Sequence, residues 1–249
     1  MTILGIIPAR YASSRFPGKP LARINGKSII RRVYEQCNLS AKLDKTIVAT
    51  DDERIYHHVI GFGGEAVITS SEHLNGTSRC FEALQNEEKE KGISYDIVIN
   101  IQGDEPFIEP EQIDKIASVF INTSVQIGTL AKKINNYEEL FNPNVVKLVT
   151  DSENKALYFS RHPIPFVRDI DEKDWLEYAE FYKHIGIYGY RKNILMEITK
   201  LEPGKLEIAE RLEQIRWIEN GYKITVDLTE HDSIGIDTPE DLLKLTNKA

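Results

Sequence analysis

The chain has 249 residues, 41% hydrophobic and 28% charged, with a net charge of -8 at pH 7. This is ordinary globular composition, enough for one large domain or two small ones, with no internal repeat or low-complexity tract. The acidic balance argues against nucleic-acid or membrane-surface binding, and two cysteines are too few for a disulfide framework or a four-thiolate metal site.

The first apolar run, Met1 to Pro8, is too short for a signal-peptide core and follows no basic stretch. No segment approaches the ~20 apolar residues of a membrane span, so the expected location is cytoplasmic. Ile3 to Ile7 reads as a buried strand. Ile29, Ile30, Val33 and Cys37 recur at helical spacing, which puts Cys37 in the core as a small buried residue. Thr46 to Thr50 is the next strand; Ile55, Val59 and Phe62 mark a helix closed by Gly63 and Gly64; Ala66 to Ile68 is a third strand. A helix is predicted from Thr77 to Lys91 and stopped by Gly92. Asp96 to Ile101 scarcely alternates, as a strand does when both sheet faces are covered. Such βαβα order predicts a mainly parallel sheet with helices on both faces, and ligands bound outside the carboxyl ends of its strands.

From Ile127 the pattern changes. Gly128 to Ile134, Val145 to Thr150, Ala156 to Ser160 and His184 to Tyr190 read as strands with few helices between them. We expect one domain over residues 1–249, with a β-rich part embedded at 128–200. Ile208, Leu212, Ile215 and Ile218 form a helical stripe ending at Gly221, and Lys223 to Leu228 is a strand. Thr238-Pro239-Glu240-Asp241 opens the last helix with a hydroxyl N-cap, proline at its first position and acids in the first turn.

The loop after the first strand carries Arg10, Arg15 and Lys19 with small residues between them. Small residues let backbone N–H groups approach an anion, and the cations neutralise it. Pro8, Pro17 and Pro20 restrict its freedom before anything binds. Equally, it reads as a solvated loop with scattered positive charge. It is neither a Walker loop nor a dinucleotide fingerprint, which disfavours a dinucleotide oxidoreductase.

Two carboxylates follow strands. Asp104 stands in Gln102-Gly103-Asp104-Glu105-Pro106, and Asp237 between Ile236 and the last helix. If both strand ends open on one side, the pair suits Mg²⁺, which takes one or two carboxylates plus phosphates and water. Otherwise Asp104 is a turn residue and Asp237 a helix-cap acid.

The loop from Pro8 to Leu21 resembles the signature of CMP-Kdo synthetases, the 3-deoxy-manno-octulosonate cytidylyltransferases. The likeness continues through Val48 to Asp51, Asn100 to Pro106, Ala156 to Arg161, His184 to Tyr190, Leu212 to Arg216 and Gly235 to Pro239. These blocks occur in the family's order and span nearly the whole chain. The resemblance implies a Rossmann-like nucleotidyltransferase fold, with the β-rich part serving sugar binding and dimerisation in a homodimer. It implies that CTP and 3-deoxy-manno-octulosonate (Kdo) give CMP-Kdo and pyrophosphate with Mg²⁺, activating Kdo for lipopolysaccharide synthesis. It places Arg10, Ser13, Arg15 and Lys19 on the nucleotide, with Asn75, Thr77 and Arg79, and makes Asp104 and Asp237 the metal ligands. Gln102, Arg161, His184, Tyr188, Glu213 and Gln214 would shape the sugar site, with Arg161 as first candidate for the sugar carboxylate. Arg10, Lys19, Asp104 and Asp237 would form the catalytic set, the aspartates as ligands and not proton acceptors.

One block departs from the family. Where His-x-Ser-Gly-Thr-acid-Arg is usual, this chain has His73-Leu74-Asn75-Gly76-Thr77-Ser78-Arg79. The change bears on nucleotide contact and sugar choice. The rivals are a cytidylyltransferase for another acidic sugar (a sialic acid or 8-amino-Kdo), a sugar-1-phosphate nucleotidyltransferase, and a catalytically silent nucleotide-binding protein.

Overall fold

The computed structural model describes residues 1–13 and 15–246, so Ser14 of the basic loop lies outside it. The chain opens with β1 (Ile3–Ala9), the hairpin strands β2 (Arg23–Ile24) and β3 (Lys27–Ser28), α1 (Ile29–Cys37), β4 (Lys45–Thr50), α2 (Glu53–Gly61) and β5 (Ala66–Ile68). Next come α3 (Gly76–Lys91), β6 (Ile97–Asn100), α4 (Pro110–Ser118), β7 (Ile127–Lys133), α5 (Tyr137–Phe141), β8 (Lys147–Thr150) and β9 (Ala156–Ser160). The remainder is α6 (Trp175–Tyr178), β10 (Tyr182–Arg191), α7 (Lys192–Ile198), α8 (Lys205–Glu210), α9 (Glu213–Glu219), β11 (Ile224–Leu228) and α10 (Pro239–Thr246).

The central sheet runs β11-β7-β10-β6-β1-β4-β5. Its strands are parallel except β10, which pairs antiparallel with both β6 and β7. Covered faces explain the unbroken apolar runs. Leu4, Ile6 and Val98 pack under Cys80, Ala83 and Leu84 of α3. Ile3, Ile7 and Ile99 point the other way, onto Val33 of α1, Ile55 of α2 and Ile116 of α4. Each leucine, isoleucine or valine among them contributes about 1.5–3 kcal/mol by leaving water. Both cysteines are buried, and burial pushes both thiols well above their ordinary range. They are therefore core residues, inert as nucleophiles.

In three dimensions β7 and β10 of the β-rich part are strands of the central sheet, and the β8–β9 hairpin branches off on the first residues of β10. A register shift between Ile185 and Tyr188 lets β10 leave β6 and reach β8. The stripe from Ile208 to Ile218 is two helices, broken at Arg211, whose φ is 54°. Ile208 is 65% exposed, while Leu212, Ile215 and Trp217 are buried, so the core is filled only after the chain turns. Gln214 is buried too.

Candidate active site

The loops after β1, β6 and β11 all leave the same edge of the sheet, the carboxyl ends of parallel strands. They touch. A Cβ on Gly103 would stand 2.6 Å from the Pro8 carbonyl oxygen, so only glycine lets the β6 loop lie on the β1 loop. The Ile236 amide donates to the Asp104 carbonyl at 3.0 Å, which brings the last loop alongside. In the basic loop the Tyr11 carbonyl accepts from the Ser13 and Gly18 amides, both at 2.9 Å. Gly18, at φ 72°, then starts the short helical turn that presents Lys19.

This architecture gathers the two aspartates around one cation. The Lys19 ammonium lies 2.6 Å from Asp104 Oδ2 and 3.5 Å from Asp237 Oδ1, and Arg15 Nη2 lies 3.0 Å from the same Asp237 oxygen. A cavity of about 300 Å³ opens beside them. Its walls include Arg10, Ser13, Arg15, Lys19, Asn75, Arg79, Gln102, Asp104 and Asp237. Arg10 has no acid partner among the described residues and is free for an anion. Arg79 is different: it is buried, and its guanidinium donates to Thr69 Oγ1 at 2.7 Å and pairs with Asp51 at 2.9 Å. It braces the cavity wall and has less charge to offer a ligand.

The departing block forms another wall. Asn75 caps α3, its Oδ1 accepting from the Ser78 amide at 2.9 Å. Asn caps as well as Ser, so that replacement keeps the helix start. The Ser78 hydroxyl meets His73 Nδ1 at 3.1 Å, and His73 Nε2 meets Glu82. His73 also lines the cavity, a residue that sequence reasoning did not single out. Its place in the motif beside Gly76 and Thr77 was the available signal.

The residues assigned to the sugar divide. Gln102 lines the cavity and donates to the Gly186 carbonyl at 3.0 Å. His184 and Tyr188 lie deeper, rings 5.1 Å apart, with His184 Nε2 3.0 Å from Thr129 Oγ1. Burial pushes the His184 pKa down to about 3, which keeps it neutral. The Tyr188 hydroxyl is buried beside the Thr129 hydroxyl. Thr77 donates to Glu213 at 3.1 Å, and burial pushes the Glu213 carboxyl up to about 7. Glu213 lines a second cavity of about 440 Å³, which adjoins the first at Leu74 and Asn75. Arg161 lines neither: its Nε donates to the Glu210 carbonyl at 2.8 Å and its Nη1 to the Pro143 carbonyl at 3.1 Å. A guanidinium so engaged has little left for a sugar carboxylate.

Residues 4–224 match the family model described as cytidylyltransferase. A Parabacteroides distasonis protein named 3-deoxy-manno-octulosonate cytidylyltransferase is 54% identical over 248 residues, which cover 98% of this chain and 96% of the relative. A protein of the same name from Cytophaga hutchinsonii is 51% identical, covering 99% and 97%. A solved structure of CMP:2-keto-3-deoxy-manno-octonic acid synthetase complexed with CTP superposes with a TM-score of 0.91 at 37% identity, covering 100% of this chain and 98% of its own. With half its residues shared with such relatives over almost its full length, this chain belongs to the cytidylyltransferases, and among them to the 3-deoxy-manno-octulosonate cytidylyltransferase family.

Proposed function

We infer that this chain transfers CMP from CTP to 3-deoxy-manno-octulosonate, releasing pyrophosphate. The observation that carries the reading is the convergence of Asp104, Asp237, Lys19 and Arg15 at one cavity, from loops remote in sequence. In this reading the anomeric hydroxyl gives up its proton to water as its oxygen bonds to the α-phosphorus, the α–β phosphoanhydride bond breaks, and pyrophosphate carries away the electron pair. Such transfer needs positioning and charge stabilisation more than covalent catalysis. Arg10, Ser13, Arg15 and Lys19 hold the triphosphate, and Asn75, Thr77 and Arg79 shape the wall beside it. Gln102, His184, Tyr188, Glu213 and Gln214 shape the sugar site. Arg161, assigned to the sugar by resemblance, acts from behind that site.

Asp104 and Asp237 fit Mg²⁺, because they already converge on one cation, the Lys19 ammonium. Among the described residues no three His, Cys, Asp or Glu side chains form a metal cage, so the remaining ligands would be phosphate oxygens and water. Bound there, the ion supplies charge neutralisation for the phosphates. Lys19 then serves the triphosphate instead of the carboxylates. No helix among the described residues is long and apolar enough to cross a membrane. We place the reaction in the cytoplasm, in a homodimer that activates Kdo for lipopolysaccharide synthesis.

The test is pyrophosphate release measured with each of four nucleoside triphosphates and several sugar acids. Release with CTP and Kdo is expected. Preference for a sialic acid or 8-amino-Kdo would move the substrate, and release only with sugar 1-phosphates would remove the reading.

A further inference from the structure

We propose that Asp232 is a positioning residue: clamped between Lys132 and Lys183, it sets where the Asp237 carboxylate stands and how tightly the site holds its divalent ion. This inference rests on the ligand role proposed above for Asp104 and Asp237. The two aspartates reach the site by unequal routes. Asp104 follows β6 closely, within the middle of the sheet. Asp237 stands at the end of a strap, residues 229–236, that leaves β11 and contains no helix or strand. No regular hydrogen bonding within the strap fixes its path, so its position depends on what it touches.

The sheet offers the strap a pair of cations. Lys132 of β7 and Lys183 of β10 stand directly opposite each other in the antiparallel register. Like charges so placed repel, and a carboxylate, with two oxygens, can satisfy both. Asp232 does so: its Oδ2 accepts from the Lys132 ammonium and its Oδ1 from the Lys183 ammonium, each at 2.6 Å. Glu139 of α5 also pairs with Lys183, so two cations meet two acids. The lysine side chains are only 18% and 13% exposed, which shelters the cluster from the screening that weakens ordinary surface pairs.

From this clamp the strap runs straight onto the metal site. The Ser233 hydroxyl meets the buried carboxyl of Glu105, the neighbour of Asp104 in the chain. The Ile236 amide donates to the Asp104 carbonyl at 3.0 Å, and the Ile236 side chain is buried with Ile24 and Ile29. Asp237 follows at once. On the other side of the clamp, His231 Nε2 meets Glu111 at 3.0 Å, but there the side chains are 37% and 71% exposed. Asp232 thus makes the strap's charge-assisted tie to half-buried partners, and it lines neither cavity. It therefore acts through Asp237, as outer partners of metal ligands do.

The experiment compares wild type, Asp232→Asn and Asp232→Glu. Calorimetry measures CTP binding with Mg²⁺ and in EDTA, and hydrogen exchange follows the peptide 229–238 in the ligand-free protein. The Asp232 side chain is 49% exposed, so neither variant should shift the melting temperature by more than roughly 4 °C. Asp232→Asn should weaken CTP binding roughly tenfold to a hundredfold with Mg²⁺ and leave it within about twofold in EDTA. Its Ile236 amide should exchange roughly tenfold faster. Asp232→Glu keeps the charge and should recover part of both losses. In turnover of CTP and Kdo, the Mg²⁺ concentration for half-maximal rate should rise in Asp232→Asn, while kcat at saturating Mg²⁺ stays within about threefold. Equal exchange in wild type and Asp232→Asn overturns the proposal. So does an unchanged affinity with Mg²⁺, which would leave the clamp only stiffening the strap. A loss of the same size in EDTA would place Asp232 on the nucleotide and overturn it as well. If wild type turned over no sugar acid, the reaction would fall alone, and the binding and exchange measurements would still judge Asp232. If wild-type CTP affinity ignored Mg²⁺, the ligand role of the aspartates would go, and this proposal with it.

Discussion

The Lys19 ammonium holds Asp104 and Asp237 together. Its side chain is 14% exposed and those of the aspartates 29% and 49%, so the cluster is open enough for exchange with a hydrated ion and a triphosphate. Replacing either acid by its amide keeps the volume and removes the charge. Asp104→Asn or Asp237→Asn should lower turnover by about a thousandfold or more while leaving the circular dichroism unchanged. A steady-state rate near wild type in either variant would remove the ligand role. Both acids could be named from sequence because each follows an apolar run and precedes a turn or helix. Arg79 and Arg161 show the limit at this level. Composition marks an arginine as a cation, but whether its guanidinium faces a ligand depends on Asp51 in one case and on two carbonyls in the other.

Helix ends position much of the site. The start of α3 presents Asn75 to both cavities and Gly76 to the first, and the Asn75 cap holds that start. Asn75→Ala should cost about 1 kcal/mol of stability in a urea titration, whereas Asn75→Ser should cost only a few tenths. Equal losses in the two variants would mean the side chain does more than cap. The N-terminus of α10 is similarly tied, with Thr238 Oγ1 accepting from the Asp241 amide at 3.2 Å and Asp241 Oδ2 accepting from the Thr238 amide at 3.0 Å. Asp237 stands just before that knot, so the cap also fixes where the carboxylate can go. These ends were legible because capping chemistry is local. The break between α8 and α9 was not, since Ile208 to Ile218 keeps a helical period and only the fit of Leu212 and Trp217 into the core interrupts it.

Across the molecule, buried acids give stability a pH dependence. Glu213 titrates at about 7 in the folded protein against an ordinary value of 4.5, mainly through burial. The folded state therefore holds more protons than the unfolded state between those values, and stability falls as pH rises through that window. Relative to Glu213→Gln, wild type should lose roughly 1 kcal/mol per pH unit from about 4.5 to 7 and then run parallel. Urea titrations of both proteins across that range measure the difference, and a flat difference would place Glu213 in contact with water. Buried His184 acts in the opposite sense, with stability gained as pH rises toward its unfolded value. Both proteins carry it, so it cancels from the comparison.

Residue order alone carried the alternation of strands and helices, the loops that follow β1, β6 and β11, and the identity of the acids and cations on them. Those features are written in local periodicity and in turn and cap chemistry, which each segment possesses before it meets any other. The meeting of Asp104 with Asp237 around Lys19 and the antiparallel insertion of β10 came from the folded molecule. They depend on which apolar faces pair across the sheet and on close approaches such as Gly103 on Pro8, and no periodicity within one segment encodes the partner it will find.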